Sequence, residues 1–219
     1  MANSPFRRIL IPLAILLFPV LFWLVLTRGT NHFKTLPVLG PVEVNAQGDS
    51  SFHTIGSFSL LNQDGKRITE KELDGKIFVA SFFFASCKTI CPKMNEQFKR
   101  VQNKFNEAGH LKMLSFTVDP EHDSVSVLHE YAQKMSADSS IWWFLTGNKD
   151  SIYALARGSF LVPAAAGESV DDFFHSQNLI LIDQDKHIRG IYDGTESNEV
   201  DTLIDDIKVL LYETVHAKK

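Results

Sequence analysis

Lys76 to Pro92 reads KIFVASFFFASCKTICP, a nearly continuous apolar run to Phe84, then cysteine at 87 and again at 91. A run this apolar does not suit a strand with one wet face, so it is expected at the centre of a sheet covered on both sides. After Pro92, Met94, Phe98, Val101 and Phe105 recur at helical spacing, and Gly109 is placed to end that helix. Pro92 lacks an N–H and biases Cys91 away from helical geometry. The helix is therefore predicted to open at Pro92, with Cys91 near its N-cap and Cys87 in the loop before it. The only two cysteines of the chain thus stand where a buried strand hands over to a helix.

Working outward, Phe58 to Ile68 reads as a strand, an Asp64-Gly65 turn and a return strand. Leu111 to Val118 is a second buried strand, closing with Asp119-Pro120. Ser124 to Met135 is predicted helical with Val127, Leu128 and Tyr131 inward. Ile141 to Leu145 is a short strand and Ser151 to Arg157 a short helix. Leu179–Asp183 and Ile188–Tyr192 form a hairpin, and a last helix runs from about Glu199 to Val215. Strand, cysteine pair, helix, βαβ and a final hairpin with a helix is a thioredoxin-like order. The fold class is therefore α/β, and the extra N-terminal hairpin points to the peroxiredoxin-like branch. Cysteines at that strand-to-helix turn belong at the end of the sheet where open α/β folds collect ligands.

Before this domain, residues 9–26 read ILIPLAILLFPVLFWLVL, eighteen residues without a charge. At about 1.5 Å per residue that is roughly 27 Å, near the thickness of a bilayer core. An uncleaved transmembrane anchor is expected there, with Trp23 as an interfacial residue; no small-x-small cleavage site follows Leu26. Arg7 and Arg8 precede the span, while Arg28 and Lys34 follow it more sparsely. Residues 1–8 are accordingly placed in the cytoplasm and the domain outside it. The expected location is the periplasm behind a bacterial inner membrane, in preference to a mitochondrial one, since no Arg/Ser-rich transit segment precedes the anchor. Residues 27–50, with Gly29, Pro37, Gly40, Pro41 and Gly48, read as a tether, and the domain is expected over 51–219.

Of 219 residues, 44% are hydrophobic and 22% charged, ordinary values for a folded domain, and the net charge is −4. No basic stretch exists to neutralise phosphates, so nucleic acid is not an expected partner. Two cysteines are too few for a disulfide-stapled scaffold or a zinc finger. At a helix start, orphan N–H groups and the helix dipole favour a thiolate, here expected at Cys91, with Lys88 adding charge. Cys87 and Cys91 could exchange electrons as a dithiol/disulfide couple, or hold a soft metal. Most of the eight histidines (His32, His53, His110, His122, His129, His187 and His216) fall in the tether, turns, surface helix or tail and carry no ligand expectation. His175, just before the strand at 179–183, falls in a loop expected at the cysteine end of the sheet. There it is either a structural hydrogen-bonding group or a third ligand. Zinc would want a fourth ligand. Asp119, Glu121, Asp171 and Asp172 are read as turn and capping residues, and Phe82–Phe84 with Trp142-Trp143 as core or shielding.

The apolar N-terminus, FxLxNxDG at 58–65, C-x-x-x-C-P at 87–92, Thr117-Val118-Asp119-Pro120-Glu121 and a late Phe174-His175-Ser176 occur in this order. Together they resemble the SCO/SenC family of copper-handling proteins from about Ser51 to Leu211. The resemblance implies a membrane-tethered thioredoxin-like domain that binds copper, Cu(I) first and Cu(II) as a second form, through Cys87, Cys91 and His175. It implies service in assembling the dinuclear copper site of cytochrome c oxidase. The oxidase's copper-bearing subunit or another copper chaperone would be the partner. Two positions depart from the family pattern: Lys88-Thr89 stands where Pro-Asp is frequent, and Phe174 where an acidic residue often precedes the histidine. The alternative function is a thiol–disulfide oxidoreductase in which Cys87 and Cys91 alone reduce a partner's cysteines. A peroxidase or redox-sensor role on the same scaffold is a third.

Overall fold

The computed structural model describes residues 15–23, 35–44, 48–107, 109–162 and 177–216. Two compact units divide the chain, residues 1–34 and 35–219. In the first, 15–23 are helical with exposed apolar side chains, and Phe18 stacks on Phe22 at 5.9 Å. Among the described residues no helix is long and apolar enough to cross a membrane. The rest of the span expected over 9–26 lies outside them.

The second unit is built on a seven-stranded sheet. Its strands are β3 (Ser59–Asn62), β4 (Arg67–Thr69), β5 (Ile77–Phe83), β6 (Leu111–Thr117), β7 (Trp142–Thr146), β8 (Asn178–Ile182) and β9 (Ile188–Asp193). They lie in the order β4-β3-β7-β6-β5-β8-β9. A separate hairpin of β1 (Val42–Val44) and β2 (Ser50–Phe52) precedes them. β5 is parallel to β6 and antiparallel to β8, with Val79 opposite Met113 on one side and Leu181 on the other. All seven residues of β5 are buried, as its unbroken apolar run requires. Alternation divides them between two cores. Ile77, Val79 and Phe83 face α1 (Ile90–Phe105), α2 (Val125–Met135) and α4 (Ser197–His216). Phe78, Ala80 and Phe82 face α3 (Lys149–Gly158), joined by Ile68, Leu73 and Phe160. The mixed α/β, thioredoxin-like plan is the one expected. The turn from β3 to β4 is pinned by Asn62, whose Oδ1 accepts from Asp64 N (3.0 Å) and Lys66 N (2.8 Å), and Gly65 supplies φ +72°.

Several local readings change. α1 begins at Ile90, two residues before Pro92, because a first-turn N–H has no helical acceptor and proline is tolerated there. The helix stops at Phe105, with Asn106 and not Gly109 at its end. Val127 is exposed, since α2 turns Leu128 and Ala132 to the core, one turn apart on the neighbouring stripe. Thr35 to Val44, read above as tether, belongs to the compact unit. Leu36 is buried, Leu39 N donates to Ile188 O (2.8 Å), and Arg189 donates to the carbonyls of Leu36 (2.6 Å) and Pro37 (3.1 Å). Gly and Pro in this stretch shape a strap over the sheet edge, a role their composition does not separate from a free linker.

Candidate dithiol site

β5 and β6 end side by side, and both sequence signatures lie at that end. Val118 N donates to Phe83 O (2.8 Å), continuing the ladder one residue past the strands. The chain then turns: Cys87 N donates to Phe84 O (3.1 Å), and Thr89 caps α1 without a side-chain hydrogen bond. Cys91 therefore sits in the first turn of α1 and packs into the core with Phe83 and Met94, 3% exposed. Cys87 is half-buried at the mouth, and Lys88 and Thr89 are exposed. Both cysteines are free thiols.

The two sulfurs differ in acidity, and in the opposite sense to the sequence expectation. Burial pushes the Cys91 thiol up to about 12, assisted by its hydrogen bond to Cys87 and the charge there. Burial also works against ionising Cys87. It is outweighed by hydrogen bonds from the Cys91 side chain and N–H and from the N–H and hydroxyl of Thr89, which hold Cys87 below the ordinary thiol range. Thr89 Oγ1 lies 3.8 Å from Cys87 Sγ. Cys87 is therefore the more acidic of the two thiols. The helix start does favour a thiolate, but its N–H groups point at the sulfur in front of the helix, while the core around Cys91 penalises charge.

Behind the pair is a polar buttress that sequence reading missed. Asp123, 2% exposed, accepts on Oδ2 from Ala85 N (3.0 Å) and from the Thr117 hydroxyl. Asp119 N donates to Thr117 Oγ1 (3.0 Å), and Asp123 N donates to Asp119 O (2.9 Å). The Thr117–Glu121 motif thus folds a buried carboxylate under the loop that leads to Cys87. Burial raises Asp123 above the carboxylate range against the pull of these hydrogen bonds. On the other flank Tyr131, raised by burial and by the nearby Cys91 charge, accepts from Asn95 Nδ2 (2.5 Å) and packs on Phe83 at 5.2 Å. An aspartate six residues beyond a strand-end threonine is a weak sequence signal, and Tyr131 reads only as a core position.

The other expected residues separate cleanly. His53 bonds Ser159 O (2.7 Å), His122 bonds Asp119 (2.9 Å), and His129 contacts Gln133 (3.0 Å), all structural roles. Glu121 pairs with Lys149 (3.0 Å). Trp142 is core, donating to Ser115 Oγ (2.9 Å). Asp183, Asp185 and His187 cluster, but Asp183 Oδ1 accepts from the N–H groups of Asp185 and His187 (both 2.9 Å) and Oδ2 accepts from Arg189 (2.9 Å), which makes the cluster a turn brace. His175, with Asp171, Asp172, Phe173, Phe174 and Ser176, lies outside the described residues. The chain resumes at Gln177, whose carbonyl accepts from Gly194 N (2.7 Å). Because Ala80 pairs with Ile180 and Phe78 with Ile182, β8 starts at the end of the sheet where β5 leaves for Cys87.

Chemically, two adjacent sulfurs, the more acidic one half-open and the less acidic one enclosed, suit a soft thiophilic cation or a disulfide. The chain is similar to known proteins over most of this unit. It is 32% identical over 158 residues to an SCO1 protein homolog of Bacillus subtilis, covering 71% of this chain and 82% of that one. The solved structure of BsSco, described as a member of the Sco family of cytochrome c oxidase assembly proteins and reported for a disulfide switch, superposes with a TM-score of 0.64. Identity there is 30%, over 73% of this chain and 94% of that one. Arabidopsis thaliana ScoI with copper bound gives a TM-score of 0.58 at 31% identity, over 72% and 97%. The SCO1/SenC family model matches residues 46–212, which contain both cysteines and every strand of the main sheet, and the chain belongs to the SCO1/SenC family.

Proposed function

We propose that the protein is a membrane-anchored copper chaperone that matures the dinuclear copper site of cytochrome c oxidase. Cys87, Cys91 and His175 are the proposed ligands. The observation that carries the reading is the unequal dithiol at the mouth of the sheet: a half-open Cys87, the more acidic thiol, backed by a buried Cys91. Copper is cargo here. A Cu(I) ion would meet Cys87 first, and the second thiolate would form as the metal displaces the Cys91 proton, which is released to water. Two soft sulfurs and one imidazole suit three-coordinate Cu(I), and a half-open Cys87 leaves an exit to a partner by ligand exchange. The entry of β8 at the cysteine end supports His175, two residues before Gln177, as the third ligand. The copper-bearing relative and the oxidase-assembly relative support the cargo and the destination. The partner is the oxidase's copper-bearing subunit or another copper chaperone.

Residues 9–26 are the proposed anchor, with residues 1–8 cytoplasmic and the domain in the periplasm. Titration of the reduced protein with Cu(I) tests the ligand set. One ion per chain is expected, lost in Cys87→Ser and Cys91→Ser and weakened in His175→Ala. Unchanged stoichiometric binding in the cysteine variants would sink the assignment.

The same asymmetry supports a second reading as a thiol–disulfide oxidoreductase. Cys87 thiolate attacks a partner disulfide and expels one partner thiolate. Cys91, giving up its proton, then attacks the Cys87 sulfur, releasing the second partner thiol and leaving a Cys87–Cys91 disulfide. That reaction needs no histidine, so His175→Ala separates the two readings.

A further inference from the structure

Among the described residues, the β1–β2 hairpin carries an apolar face that is left about half exposed. Val42, Val44 and Phe52 are 50%, 65% and 48% exposed. Val42 stands opposite Phe52 and Val44 lies two residues along, so all three project from one side, while Glu43 and Ser51 take the other. Phe52 leans edge-on against His187 at 6.0 Å and is still half exposed. Among the described residues the two strands pair only with each other.

The position of this hairpin gives the face a use. The chain arrives through Leu39, paired with Ile188, and leaves through Ile55, whose N–H donates to Lys186 O (2.9 Å). Those partners flank the β8–β9 turn, at the end of the sheet where β5 begins. Cys87 follows the other end of β5, about 20 Å away along a seven-residue strand. Only eight residues of sequence, 27–34, stand between the expected anchor and Thr35.

We propose that Val42, Val44 and Phe52 rest on the lipid surface, with the cysteine pole of the same domain on the aqueous side. The inference rests on reading residues 9–26 as an anchor. Lipid is the occupant the observations favour. A short tether holds the bilayer at high local concentration, so a weak apolar contact suffices. Three side chains fall well short of the roughly 1,000 Å² that a stable protein interface buries. Apolar residues on one side and polar ones on the other match a segment lying at a membrane surface. In this orientation the thiols are presented to a partner's soluble domain and kept from the headgroups.

The test uses the full chain in phosphatidylcholine vesicles, in a Cys87→Ser, Cys91→Ser background with a bimane label on Val44→Cys or, as the opposite pole, on Ser86→Cys. Sodium carbonate extraction first reports whether the chain is anchored; extraction into the supernatant overturns the anchor reading and this inference with it. In anchored chain, quenching by dibrominated phosphatidylcholine is expected to be several-fold stronger at position 44 than at 86, with iodide showing the reverse. Equal iodide quenching at both positions leaves the anchor standing and overturns the hairpin contact. Protection of position 44 from both quenchers also overturns it, in favour of a protein partner. Val42→Asp in the position-44 background should release the label to iodide, and circular dichroism shows whether that variant is folded.

Discussion

At Cys87 and Cys91 the same thiol is held in two states by a few ångströms of burial. Cys87 is lowered by hydrogen bonds that outweigh its desolvation, and Cys91 is raised to about 12 by a core that excludes charge. The sign is direct: a lowered folded pKa fills the thiolate at lower pH, a raised one delays it. Alkylation of the reduced protein by iodoacetamide should rise with pH to a plateau whose midpoint lies below an unperturbed cysteine's, about 8.5. Mass mapping should place that label on Cys87, and Cys91 should react slowly throughout neutral pH. First labelling at Cys91 would reverse the assignment of nucleophile. Asp123 belongs to the same scale. Replacing it with alanine leaves the Ala85 N–H and the Thr117 hydroxyl without their buried acceptor, which costs about 1–3 kcal/mol in urea unfolding. Asp123→Asn keeps a carbonyl oxygen and should recover part of that loss. If Asp123→Ala unfolds like the parent and the alkylation midpoint of Cys87 is unmoved, the carboxylate does not brace the loop.

Among the elements, β8 has the most to do with the third proposed ligand, and its start is held by a close backbone approach. A Cβ on Gly194 would meet Leu179 Cγ at 2.9 Å and Gln177 O at 3.0 Å, where Gly194 N donates at 2.7 Å. Leu179 is fully buried and cannot swing aside, so Gly194→Ala should shift Gln177 and the chain just before it. The expected outcome is Cu(I) affinity weakened in the manner of His175→Ala, with Cys87 alkylation unchanged. Retained affinity would show that the start of β8 does not set the histidine's position. Most elements were legible because their periods are plain: the continuous run of β5, the helical stripe of α1 from Met94 to Phe105, and the Asp64-Gly65 turn each follow from one rule. What was not legible depends on tertiary context. α1 opens ahead of Pro92 because its first turn has no use for the N–H that proline lacks. The burial of Leu36 needs the guanidinium of Arg189, 153 residues away, to hold its carbonyl.

Across the whole molecule, parallel β5 and β6 and antiparallel β8 bring three distant stretches of sequence to one end of the sheet. These are the cysteine turn, the Thr117–Glu121 corner, and the approach to β8. The cysteine pair could be read directly from its place after a buried strand. The third proposed ligand could not: periodicity and spacing left His175 between a structural and a metal role, and family resemblance supplied the preference. The polar buttress was hidden for a different reason. Burial of Asp123 depends on two donors, the Ala85 N–H and the Thr117 hydroxyl, whose convergence no local pattern encodes. If this end of the sheet is one site, copper acts on the stability of the entire unit, because a ligand that binds only the folded state adds to its free energy by mass action. Free Cu(I) at a hundred times its dissociation constant should add about 2.7 kcal/mol. For a domain of this size that raises the melting temperature by roughly 5–10 °C. Oxidation joins the two sulfurs and removes both as ligands, so the disulfide form should show no copper-dependent shift. Cys91→Ser should show none either, and His175→Ala a reduced one. Differential scanning calorimetry of the reduced and oxidised chains, each with and without buffered Cu(I), makes the comparison. An equal shift in the oxidised chain would place the copper elsewhere and remove redox control of Cys87 and Cys91 from the account.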